Sequence, residues 1–438
     1  MAVERKNLLQ LFIPISLETL CFMLTGMVDT MMLSSVNDAA VGAVGTANTY
    51  IGVFIIMFNI ISAGMIAVMT QYIGAGKNGV AYQARQLGLI FNAALGIILS
   101  VFLFTYSGSI LEVVGVAPML LSYARTYLQI VGGFCFLNAL MPIFSSYLRA
   151  FGFTKQPLYA TLSANILNLI LNAFFLFVLK WGVAGVAIST VISRIINLLI
   201  VMYCSHKLVH AKEDTERENN FIIFKQIIKI GLPSACETAL YNIAMTLTIR
   251  FLNQMDPDGI NVTARSYAVQ ITNFSYCVGA ALAQANAILT GWRMGAKDYE
   301  ACDKGTKKAA VIGIIVATLL ESLFAIFANQ IMHIFSTDPV LIALVGKLLI
   351  IDIILEIGRV TNLIFGQALK TSGDAIFPTV IAAVFMYLCM VAGTYIWGIH
   401  FQLFAVGAYI AMASDECVRA IFMFLRWQSG KWKQKGII

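Results

Sequence analysis

Of 438 residues, 59% are hydrophobic and only 12% carry a charge, about half the charged share of an ordinary soluble domain. With a mean hydropathy of +0.83, the chain has too little polar surface to cover its apolar residues in water, which excludes a soluble globular fold. The formal charge of +7 needs no nucleic acid to explain it, because basic loops of a membrane protein sit against anionic lipid.

In chain order, the first apolar run follows Arg5 and Lys6 and extends to about Leu33. It is too long for the apolar region of a cleaved signal, so it reads as a retained first helix. A spanning helix needs about 20 mostly apolar residues. Twelve such stretches follow one another at 8–33, 42–71, 84–107, 121–147, 157–179, 182–203, 222–251, 262–290, 306–328, 340–368, 376–398 and 402–426. Barrel strands would be about ten residues long and would alternate. The expected fold is therefore an all-α polytopic membrane protein of about twelve transmembrane helices. The eight cysteines lie mostly inside these stretches without CxxC or ligand-like spacing, and read as thiols packed as small hydrophobes.

Charge at the bilayer centre costs about 2.5–3.5 kcal/mol on insertion scales, so each polar residue in a span needs a reason. The first span holds Glu18 and Asp29, 11 residues apart. At about 100° per residue that is three turns plus roughly 20°, so both share one face about 16 Å apart along the axis. Pro14 sits one turn before Glu18 and can bend the helix there. Asp29 reads as a site residue or as an outer-end residue reaching water, and Glu18 as a site residue or an interfacial one.

The fifth span holds Asn165, Asn168 and Asn172, and the sixth holds Thr190. Asn168 and Asn172 share a helix face, either as ligands or as interhelical glue. One carboxylate, two amides and a hydroxyl suit a hard monovalent cation or a proton, and not a transition metal. His206 and His210 fall in the polar stretch after the sixth span and read as linker residues.

In the second half, Glu237 follows Pro233, and the tenth span carries Asp352, Glu356 and Arg359 on one face. Glu356 and Arg359 can neutralise each other, which leaves Glu237 and Asp352 as the stronger functional candidates. Asp415 and Arg419 read as a local i,i+4 pair. Glu321 stands alone in the ninth span, with no role legible in the sequence.

Of the 29 Lys and Arg, only Lys180, Arg250, Arg265 and Lys347 fall on one side of the membrane. Arg125, Arg194, Arg359 and Arg419 lie within spans, and all the rest fall on the other side. The asymmetry places both termini in the cytoplasm. The long polar stretch 205–220, with KEDTERENN at its centre, reads as a cytoplasmic linker between an N-terminal lobe (1–204) and a C-terminal lobe (221–438). The halves repeat. Pro14 and Glu18-Thr19 recur as Pro233 and Glu237-Thr238, 219 positions on, and Gly76 matches Gly295 at the same offset. Pro118 matches Pro339, Gly152 matches Gly373 and Pro157 matches Pro378, each 221 positions on. Six helices per half is an even number, so the two six-helix repeats are parallel, with the substrate path between them.

Several stretches together resemble the multidrug and toxic compound extrusion (MATE) family. They are MVDTMML in the first span, QYIGAGKNGVAYQA after the second, and LRAFGFTKQPLYATLSANILNLILNAFFLF with GVAGVAISTVISR, answered by LKTSGDAIFP in the second half. The resemblance covers essentially the whole chain. It implies export of organic, often cationic compounds in exchange for H+ or Na+, by a monomer without a cofactor. It implies that Asp29 carries the coupling ion, joined by Asn168 and Thr190, with no metal beyond a Na+ at Asp29. Asn172 departs from the family, in which many members place an aspartate; the single carboxylate weakens the case for a tight Na+ site and leaves H+ coupling open. Some members place acidic residues on the seventh and tenth helices. Glu237, Asp352 and Glu356 are therefore candidates for the substrate cavity.

The sequence thus points to an ion-coupled antiporter for multidrug efflux. A flippase for lipid-linked sugars has a similar helical plan but would be expected to line its cavity with more cations. A membrane enzyme is disfavoured because the chain has no nucleotide loop, HExxH or His/Cys cluster, and a receptor would not need duplicated halves.

Overall fold

The computed structural model of the chain describes residues 6–34, 38–113, 116, 118–211, 215–256 and 259–438. Arg5 and the linker residues 212–214 therefore lie outside the described residues. Among the described residues all regular structure is helical. The first half contains α1 (Leu8–Ser34), α2 (Asp38–Gly74), α3 (Asn78–Val113), α4 (Pro118–Tyr127), α5 (Phe136–Ala150), α6 (Lys155–Ala173) and α7 (Gly182–Leu208). The second contains α8 (Asn220–Met255), α9 (Ile260–Gly295), α10 (Tyr299–Ile326), α11 (Ala328–Phe335), α12 (Pro339–Thr371), α13 (Ile376–Phe385) and α14 (Phe404–Gln428). A π-helical turn, Phe174–Val178, extends α6, and two more, Met386–Val391 and Thr394–His400, extend α13.

Counted with these extensions, and with α4 and α5 as one broken rod, the helices make the twelve expected spans. Short α11 stands beside them. The break between α4 and α5 bends the rod by 44°. It falls at Gly132-Gly133, where a π-turn ends, and not at Pro142 inside α5. A glycine pair and a π-turn are common causes of a sharp kink.

Seven of these helices are long and apolar enough to cross a membrane, or eight with the bent pair. Large side chains such as Phe22 (72% exposed) and Ile326 (70% exposed) stand on their outer faces, where lipid is the solvent that tolerates them. Of the remaining rods, three carry buried charge: Arg265 on α9, Asp352 and Glu356 on α12, and Asp415, Glu416 and Arg419 on α14. Local signals set the helix starts. Asp298 caps α10 by accepting from Ala301 N at 3.0 Å, and Asp338 caps α12 by accepting from Val340 N at 2.9 Å, with Pro339 in the first turn.

The chain divides into two compact units, Met1–Leu232 and Pro233–Ile438. The repeat is visible in their backbones. Left-handed residues occur at Gly152 and Gly373 (φ 84° and 94°), at Lys180 and Gln402 (57° and 55°), and at Gly182 and Phe404 (53° and 49°). The structure corrects one sequence pairing. After the second rod the left-handed residue is Gly76 in the first half and Lys297 in the second, while α2 ends at Gly74 and α9 at Gly295. Gly295 therefore answers Gly74, and the offset is already 221 at this loop. Helix ends and turn geometry set the register, and a GAG triplet offers the letter G twice.

Candidate functional site

In the first unit, α6 turns Asn168 and Asn172 toward α1. Asn172 Nδ2 donates to Asp29 Oδ1 at 2.6 Å and to Asn168 Oδ1 at 3.2 Å. Asn168 Nδ2 donates to Ser189 Oγ on α7 at 3.1 Å, and that hydroxyl donates back to the Asn168 carbonyl at 3.0 Å. Both asparagines are buried, and Asn172 Oδ1 has no hydrogen-bond partner. The structure thus brings together three of the four expected residues, Asp29, Asn168 and Asn172. Thr190 donates to Val186 O within its own helix at 2.9 Å and lies beside the buried side chain of Tyr127, which Asp29 also influences electrostatically. Arg194, one turn beyond Thr190, is close enough to act electrostatically on Asp29.

Tyr127, Ser189 and Arg194 were not singled out from the sequence. Ser189 is adjacent to Thr190, and Arg194 is legible in the sequence only as an in-span cation. Tyr127 had no signal at all, since a tyrosine in an apolar span is ordinary. The arrangement offers one carboxylate and amide oxygens, one of them unpartnered. It can neutralise a single positive charge, either a proton on Asp29 or one small hard cation among the oxygens.

Glu18 does not join this group. Arg149 Nη2 on α5 lies 2.7 Å from Glu18 Oε1, both side chains mostly buried. Thr161 Oγ1 approaches the same oxygen at 3.5 Å. Asn165 serves as glue, donating to Cys21 O at 3.2 Å.

The second unit contains a cavity of about 380 Å³ lined by three acids, Glu237, Asp352 and Glu416, and three bases, Arg359, Lys370 and Arg419. Tyr241, Tyr276 and Tyr409 supply aromatic walls. Glu237 Oε2 pairs with Lys370 Nζ at 2.9 Å. Arg359 pairs with Glu356 and lies 3.7 Å from Glu416. Arg419 pairs with Asp415 at 2.7 Å and Glu416 at 2.8 Å, so the local Asp415–Arg419 pair is formed. Of the expected cavity residues, Glu237 and Asp352 reach the cavity wall. Glu356 does not; it is wholly buried behind Arg359.

The MatE family profile matches residues 14–174 and 233–396, once in each half, with starts offset like Pro14 and Pro233. The chain belongs to the MatE family: it is a multi-pass membrane transporter and not an enzyme. It is 32% identical to the uncharacterised transporter YisQ of Bacillus subtilis (strain 168), over 98% of this chain and 96% of that one. It is 23% identical to a probable multidrug resistance protein NorM of Thermotoga maritima, over 99% and 94% of the two chains. The solved outward-facing structure of a multidrug resistance MATE family transporter superposes with a TM-score of 0.89 at 19% identity, covering 97% of this chain and 95% of that one. This confirms the fold, with its twelve helices in two six-helix repeats.

Proposed function

We propose that this transporter is an H+- or Na+-coupled antiporter that exports organic compounds, exposing its cavity to one side of the membrane at a time. The observation that carries the reading is the 2.6 Å contact between Asn172 Nδ2 and Asp29 Oδ1. It supplies a carboxylate within a spanning helix, held by buried amides, whose charge a coupling ion can cancel. Cancelling that charge changes what Asn172 and Arg194 face, so the ion stabilises one packing of the helices over another. Without such differential binding no gradient can drive transport. The available drive is about 2.3 kcal/mol per charge per 100 mV.

Multidrug efflux is the reading favoured by the named relatives, and the cavity chemistry is compatible with it. Aromatic walls and the methionines Met245, Met386 and Met412 suit varied apolar bodies. A charged group on a substrate can exchange places with one member of an internal ion pair. Each lining cation already faces an acid, which suits the pyrophosphate of a lipid-linked sugar poorly. Small organic substrates, H+ or Na+, and the surrounding lipid are the expected partners. Both termini and the connection around 209–219 belong in the cytoplasm on the Lys/Arg asymmetry. The test is uptake of a fluorescent organic cation into proteoliposomes under an H+ gradient and, separately, a Na+ gradient. Accumulation under either supports the antiporter reading, and accumulation under neither opposes it.

A further inference from the structure

Arg265, in the second turn of α9, is only 7% exposed. Its one polar contact among the described residues is Nη2 to Met245 Sδ on α8 at 3.9 Å, and a thioether is a weak acceptor. Its Nε is buried with no partner. The cations that line the second unit's cavity each face an acid: Arg359 faces Glu356, Lys370 faces Glu237, and Arg419 faces Asp415 and Glu416. Arg265 faces none among the described residues. The buried acids Glu321, Asp352 and Glu356, one oxygen of each within 4.8 Å of the others, have Arg359 as their cation. A guanidinium stays charged, and a buried charge without a counter-charge is costly. The free donors of Arg265 therefore call for an anion.

The position of Arg265 is a second, independent observation. Arg265, Val269, Thr272 and Tyr276 recur at i, i+4, i+7 and i+11, on one face of α9. The last three line the 380 Å³ cavity, so Arg265 extends the cavity-facing stripe by one turn. Met245 is both a lining residue and the neighbour of Arg265. Its flexible side chain can swing aside and open the cavity to the guanidinium. This end of the cavity lies away from the Glu237–Lys370 pair, because Met245 is eight positions beyond Glu237 on α8, about 12 Å along the axis.

We propose that Arg265 is the anion-recognising residue of this cavity, and that its substrates include organic carboxylates, with an apolar body between the tyrosine and methionine walls and one carboxylate on the guanidinium. The inference rests on the reading of the cavity as the substrate site, but not on which ion couples transport. A guanidinium presents a planar fork of N–H donors that matches a carboxylate in two parallel bonds. One guanidinium balances one negative charge, which suits a monoanion and not a pyrophosphate. The surrounding apolar side chains keep the local dielectric low, which strengthens a charged hydrogen bond formed there. A carboxylate is preferred over the matching amide, because a neutral oxygen leaves the buried charge uncompensated.

The experiment uses the full-length protein in a non-ionic maltoside detergent. Equilibrium dialysis compares three probes built on one ring system: naphthoate, neutral naphthamide and cationic naphthylmethylamine. Wild type should bind naphthoate at least about tenfold more tightly than naphthamide, the scale of a hydrogen bond to a charged group. Arg265→Gln should bring naphthoate down to the level of naphthamide and leave naphthamide binding as it was. Met245→Glu places an internal carboxylate beside Arg265 and should abolish the naphthoate preference too; it keeps the test alive if Arg265→Gln does not fold. Equal binding of naphthoate and naphthamide by wild type would overturn the proposal, as would a preference that survives in both variants. A chloride-induced rise in melting temperature that Arg265→Gln abolishes, without any naphthoate preference, would assign Arg265 to an inorganic anion and overturn it as well. No gradient is imposed, so the outcome is separate from ion coupling. Binding of naphthylmethylamine without a naphthoate preference would sink this inference and leave the cavity as the substrate site.

Discussion

Arg149 Nη2 reaches Glu18 Oε1 at 2.7 Å across 131 positions of sequence, in the first unit. The second unit repeats the relation with Lys370 and Glu237 at 2.9 Å, shifted by 221 positions on the basic side and 219 on the acidic side. Each pair ties the first rod of its repeat to the fourth, one turn after a proline, at Pro14 and Pro233. Glu18 and Glu237, which in the sequence could be read as site residues, each have a structural partner.

Breaking such a pair from one side strands the other charge. Arg149→Met should therefore destabilise the protein by about 3–5 kcal/mol, the range for one-sided loss of a buried pair. Screening is slight, because the two side chains are only 15% and 12% exposed. Glu18→Gln with Arg149→Met should recover most of that loss. Fluorescence-detected melting of the detergent-solubilised protein measures both; a single variant as stable as wild type would make the contact incidental.

Gly373 has φ 94°, and a Cβ there would sit 2.2 Å from the carbonyl oxygen of Lys435. The tail is held in place by Trp432, stacked on Trp427 at 4.1 Å and donating to the Trp427 carbonyl at 2.8 Å. Gly76 has φ 81° with nothing within 4 Å of its Cβ position. Gly76→Ala should cost only the left-handed penalty, roughly 1–2 kcal/mol. Gly373→Ala should cost more, and the excess should vanish in a chain ending at Gly430. If the excess persists without the tail, the Lys435 contact is not its source.

The twelve rods, the duplication and the grouping of Asp29 with Asn168 and Asn172 were legible in the sequence because each leaves a local mark. Apolar length marks a span, proline and glycine mark the repeat, and Asn168 and Asn172 mark a face. What escaped was pairing at long range. Glu321 looked isolated because its neighbours Asp352 and Glu356 are 31 and 35 positions away and meet it only when α10 packs on α12. Thr190 is expected in the site as a hydroxyl in the sixth span and by the family resemblance. Its hydroxyl bonds backward to Val186, and only the adjacent Ser189 faces Asn168. The kink at Gly132-Gly133 leaves no distinct mark, because a glycine pair is ordinary inside an apolar span.

In the cavity, Glu237→Gln should leave Lys370 uncompensated and weaken binding of organic cations roughly three- to tenfold. Lys370→Met should do the reverse. Neutral substrates of similar size should change little in either variant. Binding assays with a matched cationic and neutral pair decide the matter, and equal losses for both would point to a purely structural pair.

Asn219 immediately precedes α8 and its side chain is exposed. A single cysteine there, in a cysteine-free background, should resist a membrane-impermeant maleimide added to intact cells and react once the cells are opened. Labelling from outside would invert the topology read from the Lys and Arg distribution.

The central claim is that Asp29 carries the coupling ion. Asp29→Asn keeps the shape of the neutralised side chain, and removing a charge makes the span easier to insert, so the variant should reach the membrane. Measured in proteoliposomes, it should bind substrate as wild type does yet lose gradient-driven accumulation. Asn172→Asp on the wild-type background should increase the response to Na+, because two carboxylates hold a cation better than one. Accumulation by Asp29→Asn equal to that of wild type, under the same gradient, would contradict the account.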